Sequence, residues 1–98
     1  TGDVNNYEPS GLSTCNVVRL TSNSNVYITG IKSQEDGRII NFLNVNATLY
    51  TIRIKINDAN SLAANRINTS IEVTLNPNQV CGFWYDIISS VWRVLNKY

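Results

Sequence analysis

Apolar and polar residues alternate over short runs along most of the chain, with a period of two. The cleanest run is Leu49 to Ile56, where Tyr50, Ile52, Ile54 and Ile56 fall on one side and Thr51, Arg53 and Lys55 on the other. Successive side chains of a strand point to opposite faces, so this is the pattern of a half-buried antiparallel strand with Arg53 and Lys55 in solvent. Shorter runs predict strands over Cys15–Thr21, Val26–Ile31, Arg38–Val45 and Ile67–Leu75. Turn residues separate them: Ser22 to Asn25, Ser33-Gln34-Glu35-Asp36-Gly37, and Asn44 to Thr48. Asp-Gly at 36–37 is a strong hairpin signal, because one residue there must take a positive φ. Asn57 to Asn65 breaks the alternation, and its Ser-Leu-Ala-Ala stretch has room for one helical turn.

A C-terminal hairpin closes the chain. Asn76-Pro77-Asn78 reads as a turn, residues 79–86 as one arm, Asp86 to Ser90 as a second turn, and Val91 to Leu95 as the return. Cys81, Phe83 and Tyr85 share one face of the first arm, and Val80, Gly82 and Trp84 the other. On the return arm Val91, Arg93 and Leu95 oppose Trp92 and Val94. Both faces carry apolar residues, which predicts a central pair within a sandwich or an oligomer. Aromatic side chains bury the most apolar surface, so this hairpin is expected to hold the core together. The whole pattern predicts an all-β antiparallel β-sandwich, jelly-roll-like, of seven to eight short strands with almost no helix. No internal repeat is visible.

The 98 residues make one domain, placed at 11–98, with 1–10 as a linker or N-terminal arm leading in from another domain. A domain of this size fills one core and leaves little volume for a deep cleft. A net charge of +1 with 15% charged residues gives no electrostatic reason to expect nucleic acid or an anionic membrane as partner. No stretch approaches the apolar length of a membrane span. Asn, Ser and Thr supply the polar surface instead. Such a surface suits sugar hydroxyls or a protein neighbour, and is equally what an AT-rich coding sequence produces by default.

Candidate chemistry is sparse. Cys15 and Cys81 allow one disulfide, or two buried thiols acting as small hydrophobes; neither has a histidine to serve as base, since the chain contains none. The seven acids form no evident pair, and Glu35-Asp36 sit side by side on a turn, where their side chains diverge. Asp58 and Asn60 lack the downstream Gly and Glu of a calcium loop, so neither a metal nor a cofactor is expected. Arg66 is either a ligand-binding guanidinium or, on the reading preferred here, a partner of Asp58 or Asp86 that ties loops together. The sequons at Asn46 and Asn68 are chance matches in an Asn-rich chain. Trp84 and Tyr85, adjacent on a strand, cannot both be core. The exposed one lies under a loop, at a subunit interface or against a sugar.

Four stretches occur in an order that resembles a small β domain of bacteriophage tail-fibre, spike and other virion structural proteins. They are Tyr27-Ile28-Thr29-Gly30-Ile31, Asp36-Gly37-Arg38-Ile39-Ile40, Ala63-Ala64-Asn65-Arg66, and Tyr85-Asp86 followed by Trp92-Arg93. The resemblance covers roughly Tyr7 to Leu95. It implies a non-enzymatic virion module: part of a tail or head fibre, a spike or a capsid decoration, forming a homotrimer and meeting other virion proteins or a host-surface glycan. A reducing cytoplasm at assembly favours thiols over a disulfide. Arg66, Asp86, Trp92 and Arg93 are then structural. The contact residues expected are Trp84, Phe83 and Tyr85, with Asp58, Asn60, Glu35 and Asp36 on the loops at 33–37 and 57–65 and a third loop at 86–90. Cys81-Gly82-Phe83-Trp84 is more aromatic than the family pattern, and Cys15 replaces a small residue, both pointing to a specialised contact surface. A stand-alone carbohydrate-binding module is the alternative.

Overall fold

Strands in this chain alternate between two sheets before they ever form a hairpin. The computed structural model describes residues 2–97. Its strands are β1 (Gly2–Val4), β2 (Val17–Leu20), β3 (Val26–Ile28), β4 (Ile39–Asn44), β5 (Ile52–Ile54), β6 (Val73–Leu75), β7 (Val80–Asp86) and β8 (Val91–Lys97). One sheet has the order β1-β3-β5-β6 and the other β2-β4-β7-β8. The described residues are therefore all-β and two-sheeted, with a single 3₁₀ turn among them at Ala63–Asn65 where one helical turn was expected.

The sheets are mixed, which corrects the expectation of antiparallel, jelly-roll-like pairing. β1 pairs with β3, β3 with β5, and β2 with β4, all parallel. Gly2 meets Val26, Tyr7 meets Ile31 and Val17 meets Asn41, each partner 24 residues further on. The third pass is two residues longer, Val26 meeting Ile52. Parallel neighbours need a long crossover, and here the opposite sheet supplies it. The first half of the molecule is thus a coil, each winding laying one strand in each sheet. Antiparallel pairing begins only at β6, against β5, and continues with β7 against β4 and β8 against β7.

Several expectations change accordingly. The turn at 33–37 is tight, with Gly37 at φ 78° and Arg38 N–H donating to the Glu35 carbonyl at 3.1 Å, but it is not a hairpin. It carries the chain from one sheet to the other. Residues 2–4, expected in a linker, form an edge strand, and Thr1 lies outside the described residues. Asp86 to Ser90 does close a hairpin, in which β7 is central and β8 is an edge. Ile71, within the strand expected over Ile67–Leu75, is exposed because the strand starts only at Val73.

One core lies between the sheets. Ile28, Ile52, Ile54, Val73 and Leu75 enter it from the first, and Val18, Leu20, Ile40, Phe42, Cys81, Phe83, Tyr85 and Trp92 from the second. Aromatic rings meet edge to face within it: Phe42 on Phe83 with centroids 5.5 Å apart, and Tyr85 on Trp92 at 5.1 Å. Both cysteines are thiols, Cys81 buried and Cys15 part-buried.

Candidate interaction surface

Two of the resembling stretches, 27–31 and 63–66, meet in one part-buried polar network. Thr29 Oγ1 donates to Asn5 Oδ1 at 2.6 Å and lies 2.7 Å from Ser61 Oγ, which in turn accepts the Asn6 N–H at 2.9 Å. Asn6 Oδ1 accepts the Leu62 N–H and Asn65 Nδ2 at 2.7 and 2.8 Å, and Asn65 Oδ1 accepts the Ser33 N–H at 2.9 Å. Buried polar groups are costly unless paired, and a satisfied network specifies one arrangement. Gly30 is required here, because a Cβ on it would stand 2.5 Å from Ser61 Cβ and 2.8 Å from the Asn65 carbonyl oxygen. Tyr85 Oη donates to the Ala64 carbonyl at 2.8 Å, fastening the 3₁₀ turn to β7.

Arg66 does not pair with Asp58 or Asp86. Its Nε donates to the Ser61 carbonyl at 3.1 Å, closing its own loop. Asp86 takes Arg93 instead, Nε to Oδ2 at 3.1 Å, while its Oδ1 accepts the Ile88 and Ser89 N–H groups. Partial desolvation alone would raise the Asp86 pKa; donation from Arg93 and the two amides outweighs it and holds the carboxyl below its ordinary value. Asp36 Oδ1 accepts the Ile87 N–H at 3.2 Å and so joins the turn at 33–37 to the β7–β8 turn. Held this way, the turn points Ile88 into solvent, 92% exposed. Glu35 and Asn60 are exposed, and Asp58 Oδ1 accepts the Asn60 N–H at 2.8 Å, an Asx turn within its own loop. These four loop residues are spread over two loops.

Of the three aromatic contact candidates, only Trp84 faces outward. Phe83 and Tyr85 are buried in the core, which removes them from any surface. Trp84 lies in a cross-strand row with Ile39 on one side and Arg93 on the other. Two residues along, Val17, Asn41, Gly82 and Asn96 form a second row. The Asn41 and Asn96 side chains close over Gly82, where a Cβ would stand 2.9 Å from both Oδ1 atoms. Arg19, Leu43 and Val80 form a third. Five apolar residues, Val17, Ile39, Leu43, Val80 and Trp84, therefore share the outer face of this sheet, with amides running between them.

The other sheet's outer face is different in kind. Asp3, Tyr27, Arg53 and Thr74 form a row across it, with Lys55 Nζ 4.6 Å from the Tyr27 ring centroid and 3.7 Å from Glu72. This is the solvated face expected for Arg53 and Lys55. The apolar face was expected only through the closing hairpin. Its signal was nonetheless in the sequence: Val17-Val18, Ile39-Ile40, Phe42-Leu43 and Phe83-Trp84 are apolar doublets, and a doublet within a strand puts one residue on each face.

A groove of about 300 Å³ is lined by residues of both sheets, Val4, Leu20, Val26, Ile28 and Ile52, together with Tyr7 and the polar Thr21, Ser22 and Asn23. Tyr7 has its pKa raised by burial, with a smaller contribution from Cys15. Among the described residues no group of His, Cys, Asp and Glu is placed to hold a metal ion, and no helix is long and apolar enough to cross a membrane.

Compared with protein-family models, curated proteins and solved structures, the chain matches none of them.

Proposed function

We propose that this chain is a non-enzymatic structural module of a bacteriophage virion, a domain of a fibre, spike or capsid-attached appendage. It associates with copies of itself, as a homotrimer, through the outer face of the β2-β4-β7-β8 sheet, and presents its loops to another virion protein or to a host surface. The virion assignment rests on the order of the four motif stretches. Their residues serve the polar network and the Asp86–Arg93 turn, in keeping with motifs that specify an architecture rather than a reaction.

The observation that carries self-association is the contrast between the two outer faces. One bears Asp3, Arg53, Lys55 and Glu72; the other bears Val17, Ile39, Leu43, Val80 and Trp84. Five apolar residues including a Trp, with amides between them and Arg19 and Arg93 on the two edge strands, have the mixed composition of an interface. Light scattering at micromolar concentration tests this: three times the chain mass is expected, falling to one on Ile39→Lys. A monomer at all concentrations overturns it. The second reading, a carbohydrate module, is favoured by Arg93 in the same row as Trp84 and by Asn41 and Asn96 in the next row. It requires a monomer that binds a glycan array and loses that binding on Trp84→Ala without unfolding.

A further inference from the structure

Asp36 is the one acid of the chain that is followed by glycine. A side-chain carboxyl and the next backbone nitrogen can close a five-membered ring, and glycine, with no side chain, leaves that nitrogen least shielded. Both residues are exposed, and the space around Gly37, at φ 78°, is open. Bulk therefore does not prevent the ring from closing. The bonds that hold the two reacting groups come from the β7–β8 hairpin. Gly37 N–H donates to the Tyr85 carbonyl at 2.8 Å and Tyr85 N–H to the Arg38 carbonyl at 2.9 Å, so the Gly37 nitrogen extends the β4–β7 ladder by a rung. Asp36 Oδ1 accepts the Ile87 N–H at 3.2 Å.

We propose that Asp36–Gly37 is a modification site, converting to isoaspartate through a succinimide, and that closure of the β7–β8 hairpin is what withholds the reaction. The Gly37 nitrogen attacks Cγ of the protonated Asp36 carboxyl and gives up its proton, and water leaves from Cγ. Water then adds back to the ring. Cleavage of the new bond between Cγ and nitrogen restores Asp36, whereas cleavage of the bond between the main-chain carbonyl and nitrogen leaves isoaspartate. Mass is unchanged overall, and water is the only co-reactant. The ring nitrogen carries no proton to donate to Tyr85, and the ring consumes the carboxylate that Ile87 bonds. Ring and closed hairpin are thus alternatives. Isoaspartate lengthens the main chain by a methylene within a tight turn, so a converted chain loses the tie between the turns at 33–37 and 86–90.

The test incubates the 98-residue chain at neutral pH, folded and in urea, beside a synthetic peptide of residues 33–40. Isoaspartate at position 36 is read by fragmentation mass spectrometry over time. The peptide and the unfolded chain should convert at one rate, and the folded chain about thirtyfold more slowly, since two bonds of ordinary strength must open first. Asp86→Ala removes the caps on the Ile88 and Ser89 amides and the hold on Arg93 without altering 36–37. It should speed conversion of the folded chain about tenfold and leave the rate in urea unchanged. If that variant does not fold, Asp36→Asn supplies the comparison: it closes the same ring with loss of ammonia, and its folded and unfolded rates should differ by the same factor. Equal rates in the folded and unfolded chains overturn the gating, as does a folded Asp86→Ala chain that converts no faster than the parent. Absence of isoaspartate from the unfolded chain overturns the site itself.

Discussion

Trp92, near the C-terminus, donates its indole N–H to the carbonyl of Ile31 at 2.9 Å, across 61 residues of sequence. The bond joins the closing hairpin to the second winding of the coil, and Asn68 N–H donates to the Trp92 carbonyl at 2.9 Å to bring in the segment before β6. Trp92→Phe keeps most of the apolar volume but leaves the Ile31 carbonyl unpaired in the core. The expected cost is about 2 kcal/mol, the sum of a lost bond and a small cavity, read from the urea midpoint.

Gly30→Ala should cost about 1–3 kcal/mol by overpacking, since the Ser61 side chain and Asn65 backbone it would strike are both fixed in the network. Gly37→Ala is the control. It has open space around it and loses only the ease of its positive φ, about 1 kcal/mol. Equal costs at the two sites would show that the packing at Gly30 is looser than described.

Two groups make stability depend on pH in opposite directions. Asp86 has a lowered folded pKa, so the unfolded chain binds its proton first as acid is added. Its contribution is complete above the unfolded value and is lost as pH falls through the folded one. Asp86→Asn should therefore flatten the acid limb of the stability profile.

Tyr85 has a raised pKa, chiefly through burial and secondarily through Asp86, so the unfolded phenol ionises first as pH rises. Stability should be complete below the ordinary tyrosine value and fall above it. Tyr85→Phe should remove that alkaline loss while costing about 1 kcal/mol at neutral pH, for the bond to Ala64. Unfolding followed by fluorescence across the pH range reads both limbs.

Ile39→Lys should change the unfolding free energy of the monomer by no more than about 0.5 kcal/mol, because Ile39 stands on an outer face and is 46% exposed. If it destabilises the monomer strongly, Ile39 is packed more deeply than its position implies, and its effect on solution mass loses its meaning.

What the sequence disclosed was local. Strand-like patterning located β4 and β7, the Asp86–Ser90 turn was a true hairpin, and Cys81, Phe83 and Tyr85 do share one face, though that face is the core and not the contact surface expected for Phe83 and Tyr85. What it concealed was pairing. Ser33 to Gly37 has the chemistry of a hairpin turn whether the chain folds back or crosses to the other sheet, so the turn could not show that β3 and β4 lie in different sheets. The 24-residue winding left no repeat because the coil is held by backbone ladders, and positions one winding apart, such as Val18 and Phe42, need only be apolar. Arg66 looked like a salt-bridge partner since any Arg near acids does; its use on a carbonyl five residues away depends on loop geometry. Asn65 stood in one of the motif stretches, but its partner Asn6 at the centre of the polar network was invisible in a chain so rich in Asn.

Because Trp92 is bonded to Ile31 and bridged to Ile67, the earlier windings have no finished core until the last strand arrives. On the ribosome, the N-terminal strands must wait for residues near the end of this sequence to emerge. β8 is the keystone, and chains truncated before it should be substrates for proteolysis rather than partly folded domains.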